Sequence, residues 1–226
     1  MTFSLLGRCP RTGQFGAVVT TSAVGVGARV PFARAGIGAV LTQHRTDPRL
    51  GPLGLDLLAQ GFTAQQTIDA IVAATPHRDW RQLAVIDAAG RTAHFDGANV
   101  RPAISVAQGR DCIGAGNILR NEAVAPAMVA AFEAEPDLPL ATRPVRAIQA
   151  GEDAGGETAA VVSASLLVVD GESFPFVDLR VDAHDRPLAE LARLWALYGP
   201  TAEDYVRRAI DPDFAVTYVP PSPKAN

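Results

Sequence analysis

A threonine stands directly after the initial methionine of this 226-residue chain. A methionine that precedes a small side chain is readily trimmed, and trimming would give Thr2 a free α-amine. An α-amine with an ordinary pKa of roughly 7.7–8.0 can accept the hydroxyl proton near neutral pH, so one residue would supply both nucleophile and base. Thr2 is therefore a candidate nucleophile, and the alternative is an ordinary second residue without chemistry.

The spacing of cysteines and histidines gives no pattern of metal ligands. Cys9 and Cys112 are the two cysteines of the chain, which is too few for a disulfide framework, and we expect them to be buried, inert thiols. His77, His94 and His184 form no His-x-x-x-His or His-x-Glu arrangement. The sequence thus predicts no metal and no other cofactor.

The composition is typical of a globular protein, with 48% hydrophobic and 19% charged residues. A net charge of -4 offers no basic surface for nucleic acid, so we expect a small-molecule partner. The first residues lack a basic segment followed by a long apolar stretch, and no run approaches the roughly 18 apolar residues of a membrane span. We expect a cytoplasmic protein that does not bind membranes.

Apolar periodicity predicts an α+β chain. The spacing of Leu53, Leu57 and Leu58, and a Thr63 N-cap before Ile68, predict two helices in tandem. Further helices are predicted at 124–133, 139–150, 188–198 and 202–210, and strands at 3–9, 15–22, 36–43, 82–87, 92–95, 104–107, 112–116, 160–169 and 176–181. This order predicts two packed sheets with helices outside, in one domain over 1–215 followed by a flexible tail at 216–226.

Two segments have a composition that predicts their surroundings. The strand at 160–169 is almost uninterruptedly apolar, which indicates burial on both faces. The segment 24–27 alternates valine and glycine and is too rich in glycine for a regular element, so we expect its backbone to approach another part of the chain closely.

The chain resembles a known family over nearly its whole length, to about residue 194. The resemblance is carried, in order, by Met1-Thr2-Phe3-Ser4, Thr12-Gly13, Ser22, Val26-Gly27, Val30-Pro31, 33–40, Thr42-Gln43, 51–58, 81–83, Gly116-Asn117-Ile118-Leu119, 150–151, Gly155-Gly156, 163–168 and 177–182. These motifs make it similar to the bacterial and archaeal proteins grouped as domain of unknown function 1028, which are assigned an N-terminal-nucleophile hydrolase-like fold. The resemblance implies a four-layer αββα sandwich of two stacked, mainly antiparallel sheets flanked by helices, with Thr2 at the mouth of the cleft between the sheets.

The resemblance also implies attack by Thr2 on an amide-like C–N bond. Such a reaction needs a proton carrier and donors for the developing oxyanion. Asn117 would offer an amide donor to the oxyanion, and the alternative is a turn residue with left-handed backbone. Ser22, at a strand end, would relay a proton or anchor the substrate, and the alternative is a hydroxyl bonded to the backbone.

Further residues are expected to shape the substrate pocket, and some depart from the family pattern. Gln43, His44 and Glu157 are the candidates for substrate binding. Where many relatives have Ser-Lys this chain has Ser22-Ala23, and after Gly155-Gly156 it keeps an acid, Glu157, without the following basic residues. His44 and Asp47 either contact a ligand or are exposed loop residues.

Two functions of different class follow from these residues. The first is a hydrolase that cleaves a small amide, ureido or amidino C–N bond through Thr2 after loss of Met1. The second is a non-catalytic ligand-binding or assembly module that retains the fold. A peptidase subunit of a large assembly is disfavoured because nothing resembles a propeptide. A homodimer is expected to share the apolar 161–169 strand and the late helices.

Overall fold

The strands of the protein form two antiparallel sheets. The computed structural model describes residues 1–213, and the tail predicted at 216–226 lies outside the described residues. The strands are β1 (Thr2–Arg8), β2 (Phe15–Thr21), β3 (Pro31–Arg34), β4 (Gly38–His44), β5 (Arg81–Asp87), β6 (Thr92–Asp96), β7 (Ser105–Gly109), β8 (Cys112–Asn117), β9 (Ser163–Val169) and β10 (Pro175–Val181). Their orders are β10-β9-β2-β1-β8-β7 in the larger sheet and β3-β4-β5-β6 in the smaller.

Helices cover the outer face of each sheet. They are α1 (Leu50–Ala59), α2 (Ala64–Ala74), α3 (Val124–Ala134), α4 (Thr142–Asp153), α5 (Pro187–Tyr198) and α6 (Ala202–Ile210). Helices α1 and α2 pack on the smaller sheet, α3, α4 and α5 pack on the larger one, and the inner faces of the sheets contact each other. The α+β, four-layer αββα sandwich is thereby confirmed. None of the helices within residues 1–213 is long and apolar enough to cross a membrane.

Successive side chains of β1 serve different layers of the sandwich. Phe3 and Leu5 belong to the core between the larger sheet and its helices, whereas Leu6 belongs to the core between the two sheets. Because side chains alternate along a strand, Thr2 and Ser4 share the face of Leu6. The beginning of β1 therefore places two hydroxyls in the gap between the sheets.

Local sequence signals were accurate for several elements. Thr63 is the N-cap of α2, and it exchanges hydrogen bonds with Gln66 in a capping box. The predicted close approach at 24–27 is confirmed, because a Cβ on Gly27 would lie 2.7 Å from Cβ of Ser165. Strand β3, in contrast, is absent from the predicted strands. Its first residue is Pro31, which a strand accepts at its start and at the edge of a sheet, where β3 lies.

The surface suggested for a homodimer is not available on β9. This strand is buried over nearly its whole length, as its composition predicted, and it lies between β2 and β10. The expectation that the 161–169 strand offers a shared surface is therefore wrong, because both its edges are paired and both its faces are covered. The homodimer itself stays a prediction.

Candidate active site

Thr2 begins a strand that is paired on both sides. It is 6% exposed, lies directly opposite Asn117 of β8, and its Oγ1 is 3.4 Å from Oγ1 of Thr21 at the end of β2. Both threonine hydroxyls donate to the carbonyl oxygen of Met1. The peptide bond between Met1 and Thr2 is therefore held by the hydroxyl groups of Thr2 and Thr21, in the gap between the sheets.

A buried chain of side-chain amides joins the two sheets beneath Thr2. Ser4 Oγ donates to Gln43 Oε1 at 2.8 Å, and Gln43 Nε2 donates to Gln82 Oε1 at 2.6 Å. The same Gln82 oxygen accepts from Asn117 Nδ2 at 2.9 Å, while Gln82 Nε2 donates to Asp96 Oδ1 at 2.7 Å. Polar groups buried in this way are held in fixed orientations by their partners.

Asn117 is a strand residue with one free polar atom. It is the last residue of β8, and the positive φ of 55° belongs to Ile118, its neighbour. The interpretation of Asn117 as a left-handed turn residue is therefore wrong, because β8 ends at Asn117, one residue later than the predicted strand 112–116. Its Oδ1 is buried without a hydrogen-bond partner among residues 1–213, which leaves an acceptor near Thr2.

Ser22 and Glu157 form a pair at the same end of the sandwich. The backbone N–H of Ser22 donates to Glu157 Oε2 at 3.1 Å, and Glu157 Oε1 is buried with no partner in the described chain. Burial raises the pKa of Glu157 to about 7, although the hydrogen bonds from Ser22 and the nearby α-ammonium group oppose this. The predicted substrate-binding acid thus gains or loses a proton near neutral pH.

An open cleft lies over the N-terminus. Its volume is about 330 Å³, and it is lined by Met1, His44, Arg45, Trp80, Arg101 and Ile118. His44 ends β4 with a φ of 71°, and its Nδ1 lies 3.0 Å from the carbonyl oxygen of Trp80. Burial lowers the pKa of His44, and the charges of the α-ammonium group, Arg101 and Arg45 lower it further, against the hydrogen bond to Trp80.

Positive charge is concentrated at this cleft. Arg45 lies over the Trp80 ring, 4.4 Å from the ring centre. Neither Arg45 nor Arg101 forms an ion pair with any residue in 1–213. The pKa of the N-terminal amine is lowered, mainly by burial. The negative charge of Glu157 opposes this, and the positive charge of Arg101 adds to it. An amine here loses its proton more readily than a fully solvated one.

Asp47 is buried, and the alternative that it is an exposed loop residue is therefore wrong. It is 6% exposed and accepts two hydrogen bonds from the Arg49 side chain at 2.8 Å, with Arg81 3.6 Å away. The hydrogen bonds from Arg49 hold the pKa of Asp47 below its usual range, although burial raises it. Asp47 therefore stabilises its own loop.

The structure brings the predicted site residues to one end of the sandwich. Thr2, Asn117 and Gln43 lie in the gap between the sheets, whereas His44 lines the cleft beside Met1. Thr21, Gln82, Trp80 and Arg101 also belong to this end of the sandwich, and none of them is among the predicted site residues. Gln82 could have been recognised from the sequence, because it is a polar residue directly before the apolar run 83–86 of β5. Within residues 1–213 no group of histidine, cysteine, aspartate and glutamate side chains is placed to hold a metal ion.

Comparisons with known proteins give a matching family and similar solved structures. The family model described as "Family of unknown function (DUF1028)" matches residues 2–191. The crystal structure of protein SPO2555 from Silicibacter pomeroyi, which is described with the same family model, is 30% identical and has a TM-score of 0.84, and the match covers 92% of this chain and 90% of that chain. Anbu (ancestral beta-subunit) from Yersinia bercovieri matches with 9% identity and a TM-score of 0.39, over 96% of this chain and 100% of that chain. No curated protein matches the chain.

Proposed function

The chain belongs to the family of unknown function DUF1028, as its motifs predicted, and we propose that it is an N-terminal-nucleophile hydrolase. In this proposal Met1 is removed and Thr2 cleaves a small amide, ureido or amidino C–N bond. The single observation that carries the proposal is the position of Thr2. It begins a strand paired on both sides, its hydroxyl faces the gap between the sheets, and the residue before it, Met1, lines an open cleft.

Loss of Met1 would create the reacting geometry. The Thr2 and Thr21 hydroxyls that now bind the Met1 carbonyl would be released, and the α-amine of Thr2 would lie on the same residue as its hydroxyl. The space left by Met1 would join the cleft of about 330 Å³. A small substrate would then reach the nucleophile without movement of either sheet.

The reaction balances with the groups of the site and one water molecule. The unprotonated α-amine of Thr2 takes the hydroxyl proton while Oγ1 attacks the carbonyl or amidino carbon, which becomes tetrahedral. The C–N bond then breaks, and the resulting ammonium group gives its proton to the leaving nitrogen. Water then attacks the ester, carbamate or imidate formed on Thr2 from an amide, ureido or amidino substrate, returns the hydroxyl proton to Thr2, and releases an acid, a carbamic acid or an amide, respectively.

Asn117 and Glu157 have distinct roles in this proposal. Asn117 Nδ2 donates one hydrogen to Gln82 and has a second for the oxyanion, since a primary amide carries two. Glu157, held by Ser22, would stabilise the ammonium form of the Thr2 amine between the two proton transfers. Gln43 and His44 would shape the pocket, and the unpaired Arg45 and Arg101 favour a substrate with a negative charge.

The test combines an N-terminal mass with a substrate screen. We expect protein expressed without an N-terminal tag to begin at Thr2. We expect a panel of small amides, ureido acids and amidino compounds to contain a substrate. Thr2→Ala should lower kcat on the order of 10³-fold or more, whereas Thr2→Ser should retain part of the activity.

The control is Thr12→Ala, which changes an exposed threonine in the hairpin at the other end of β1 and should leave kcat unchanged. Full activity of Thr2→Ala, or a substrate turned over by protein that retains Met1, would disprove the mechanism. A trimmed protein that binds members of the panel without cleaving any would support the non-catalytic ligand-binding module instead.

A further inference from the structure

Arg143 is a buried arginine whose guanidinium group is only partly satisfied. It is the second residue of α4 and is 5% exposed. Its Nε donates to the carbonyl oxygen of Phe132 at 3.0 Å, and its guanidinium carbon lies 3.8 Å from the centre of the Phe132 ring. Neither Nη atom has a hydrogen bond or ion pair with a residue in 1–213.

A cavity lies beside this guanidinium group. Its volume is about 350 Å³, and Arg143 is among its lining residues together with Cys9, Arg11 and Arg110. Strand β1 places it at the far end of the sandwich from Thr2, at a distance of about 20 Å for a seven-residue strand. The cavity is therefore separate from the proposed active site.

The acidic residues of the cavity wall are already engaged. Asp111 binds Arg8 at 2.8 Å, and Asp137 binds Arg11 at 3.4 Å. Glu133 accepts from the backbone N–H of Arg110 at 2.5 Å. Arg143 has no carboxylate of its own, so its charge lacks the compensation that buried arginines ordinarily have.

The surroundings of Arg143 add to the attraction for an anion. Arg143 stands in the first turn of the 12-residue α4, where the helix dipole gives partial positive charge. Burial lowers the pKa of Arg143, which expresses the cost of keeping this charge out of water. A ligand that supplied negative charge would remove that cost.

We propose that this cavity binds a small oxyanion, a carboxylate or phosphate group, through the free Nη atoms of Arg143. Two parallel N–H donors match the spacing of two oxygens on such a group. The stacked Phe132 ring and the Nε hydrogen bond hold the guanidinium plane fixed for the ligand. The cavity has room for a molecule larger than the bare anion.

The first test measures thermal unfolding of the full chain with inorganic phosphate or acetate, against sodium chloride at the same ionic strength. We expect at least one of the two anions to raise Tm by several degrees at concentrations well above its Kd. Arg143→Met should abolish the rise. Arg146→Met, which removes a half-exposed arginine from the same helix, should retain it.

The second test uses Cys9 as a reporter, in the native protein and in Arg143→Met. Cys9 lines the cavity, although only 2% of its surface is exposed. Burial raises the pKa of Cys9, but hydrogen bonds from Thr12 and Arg11 lower it overall, whereas burial raises the pKa of Cys112 to about 12. The small neutral reagent iodoacetamide should therefore label Cys9 first. The anion should slow this labelling about tenfold at ten times its Kd. The proposal is overturned if neither anion changes Tm or labelling of the native protein, or if Arg143→Met keeps both effects.

Discussion

Gln82 lies directly opposite Gln43 in the β4–β5 pair, and its side-chain oxygen accepts hydrogen bonds from both Gln43 and Asn117. Gln43 belongs to the smaller sheet and Asn117 to the larger one. The side-chain amide of Gln82 therefore connects the two sheets at the end where Thr2 lies, beside the hydrogen bond from Ser4 to Gln43. The orientation of the candidate oxyanion donor depends on a residue that does not face the cleft.

Gln82→Leu should therefore destabilise the fold strongly. The change leaves the amide nitrogens of Gln43 and Asn117 without their acceptor in a buried site, at a cost of about 1–3 kcal/mol for each such group. We expect the free energy of unfolding in urea to fall by about 2–4 kcal/mol. The matched change Gln108→Leu, at an exposed position of β7, should cost less than about 1 kcal/mol, and equal losses would contradict the network.

Glu157→Gln should change how stability depends on pH. The pKa of Glu157 is about 7 in the folded protein, above the ordinary glutamate value of 4.5. Between these values the folded state holds the proton more tightly than the unfolded state does, so the stability of the native protein falls as pH rises through this window. We expect Glu157→Gln to reduce this fall by on the order of 1–3 kcal/mol between pH 4.5 and pH 7.

Urea unfolding at several pH values measures this effect. Glu172→Gln, in the exposed loop before β10, is the control and should follow the native curve. A Glu157→Gln protein with the same pH dependence as the native protein would show that the buried carboxyl does not retain its proton.

Arg101→Gln should raise the pKa of His44. Burial is the main cause that lowers the His44 pKa, and the charge of Arg101 adds to it. Removal of one nearby positive charge should raise the pKa by roughly a few tenths of a pH unit, which an NMR titration of the imidazole protons can resolve. Arg78→Gln, an exposed arginine just before β5, should leave it unchanged. An unaltered value in Arg101→Gln would place this guanidinium group farther from the cleft than the structure has it.

Gly27→Ala should destabilise the packing between the short 3-10 turn Val26–Ala28 and β9. The added Cβ would lie 2.7 Å from Ser165 Cβ and 3.2 Å from Arg180 Cγ, so a strand of the larger sheet must shift. We expect a loss of about 1–3 kcal/mol by urea unfolding. Gly171→Ala meets no atom within 4 Å and should be neutral, and the same loss in both variants would contradict a clash specific to Gly27.

Elements that depend on neighbouring residues could be predicted from the sequence. The Thr63 N-cap and the consecutive strands β5 and β6 are local in sequence, and the structure confirms both. Helix boundaries were less accurate. Helix α4 begins at Thr142, three residues later than expected, because Pro139 opens a tight turn in which its carbonyl accepts from the Thr142 N–H.

The arrangement of the site could be predicted only in part. Thr2 and Asn117 were selected by residue type and family motif, but their pairing results from β1 lying beside β8, over 100 residues away. Glu157 meets Ser22 across a separation of 135 residues. Contacts of this kind depend on the order of strands in the sheet, which no local pattern of apolar residues encodes.

The alternation of β1 side chains between two layers of the sandwich also limits how this chain can change in evolution. Point substitutions at Thr2, Ser4 or Leu6 would alter one layer at a time. Insertion or deletion of a single codon within the strand would exchange the two sets of side chains, turning Phe3 and Leu5 toward the opposite sheet and the hydroxyls toward the helices. Descendants of this gene should therefore vary in the residues of their first strand but not in its length.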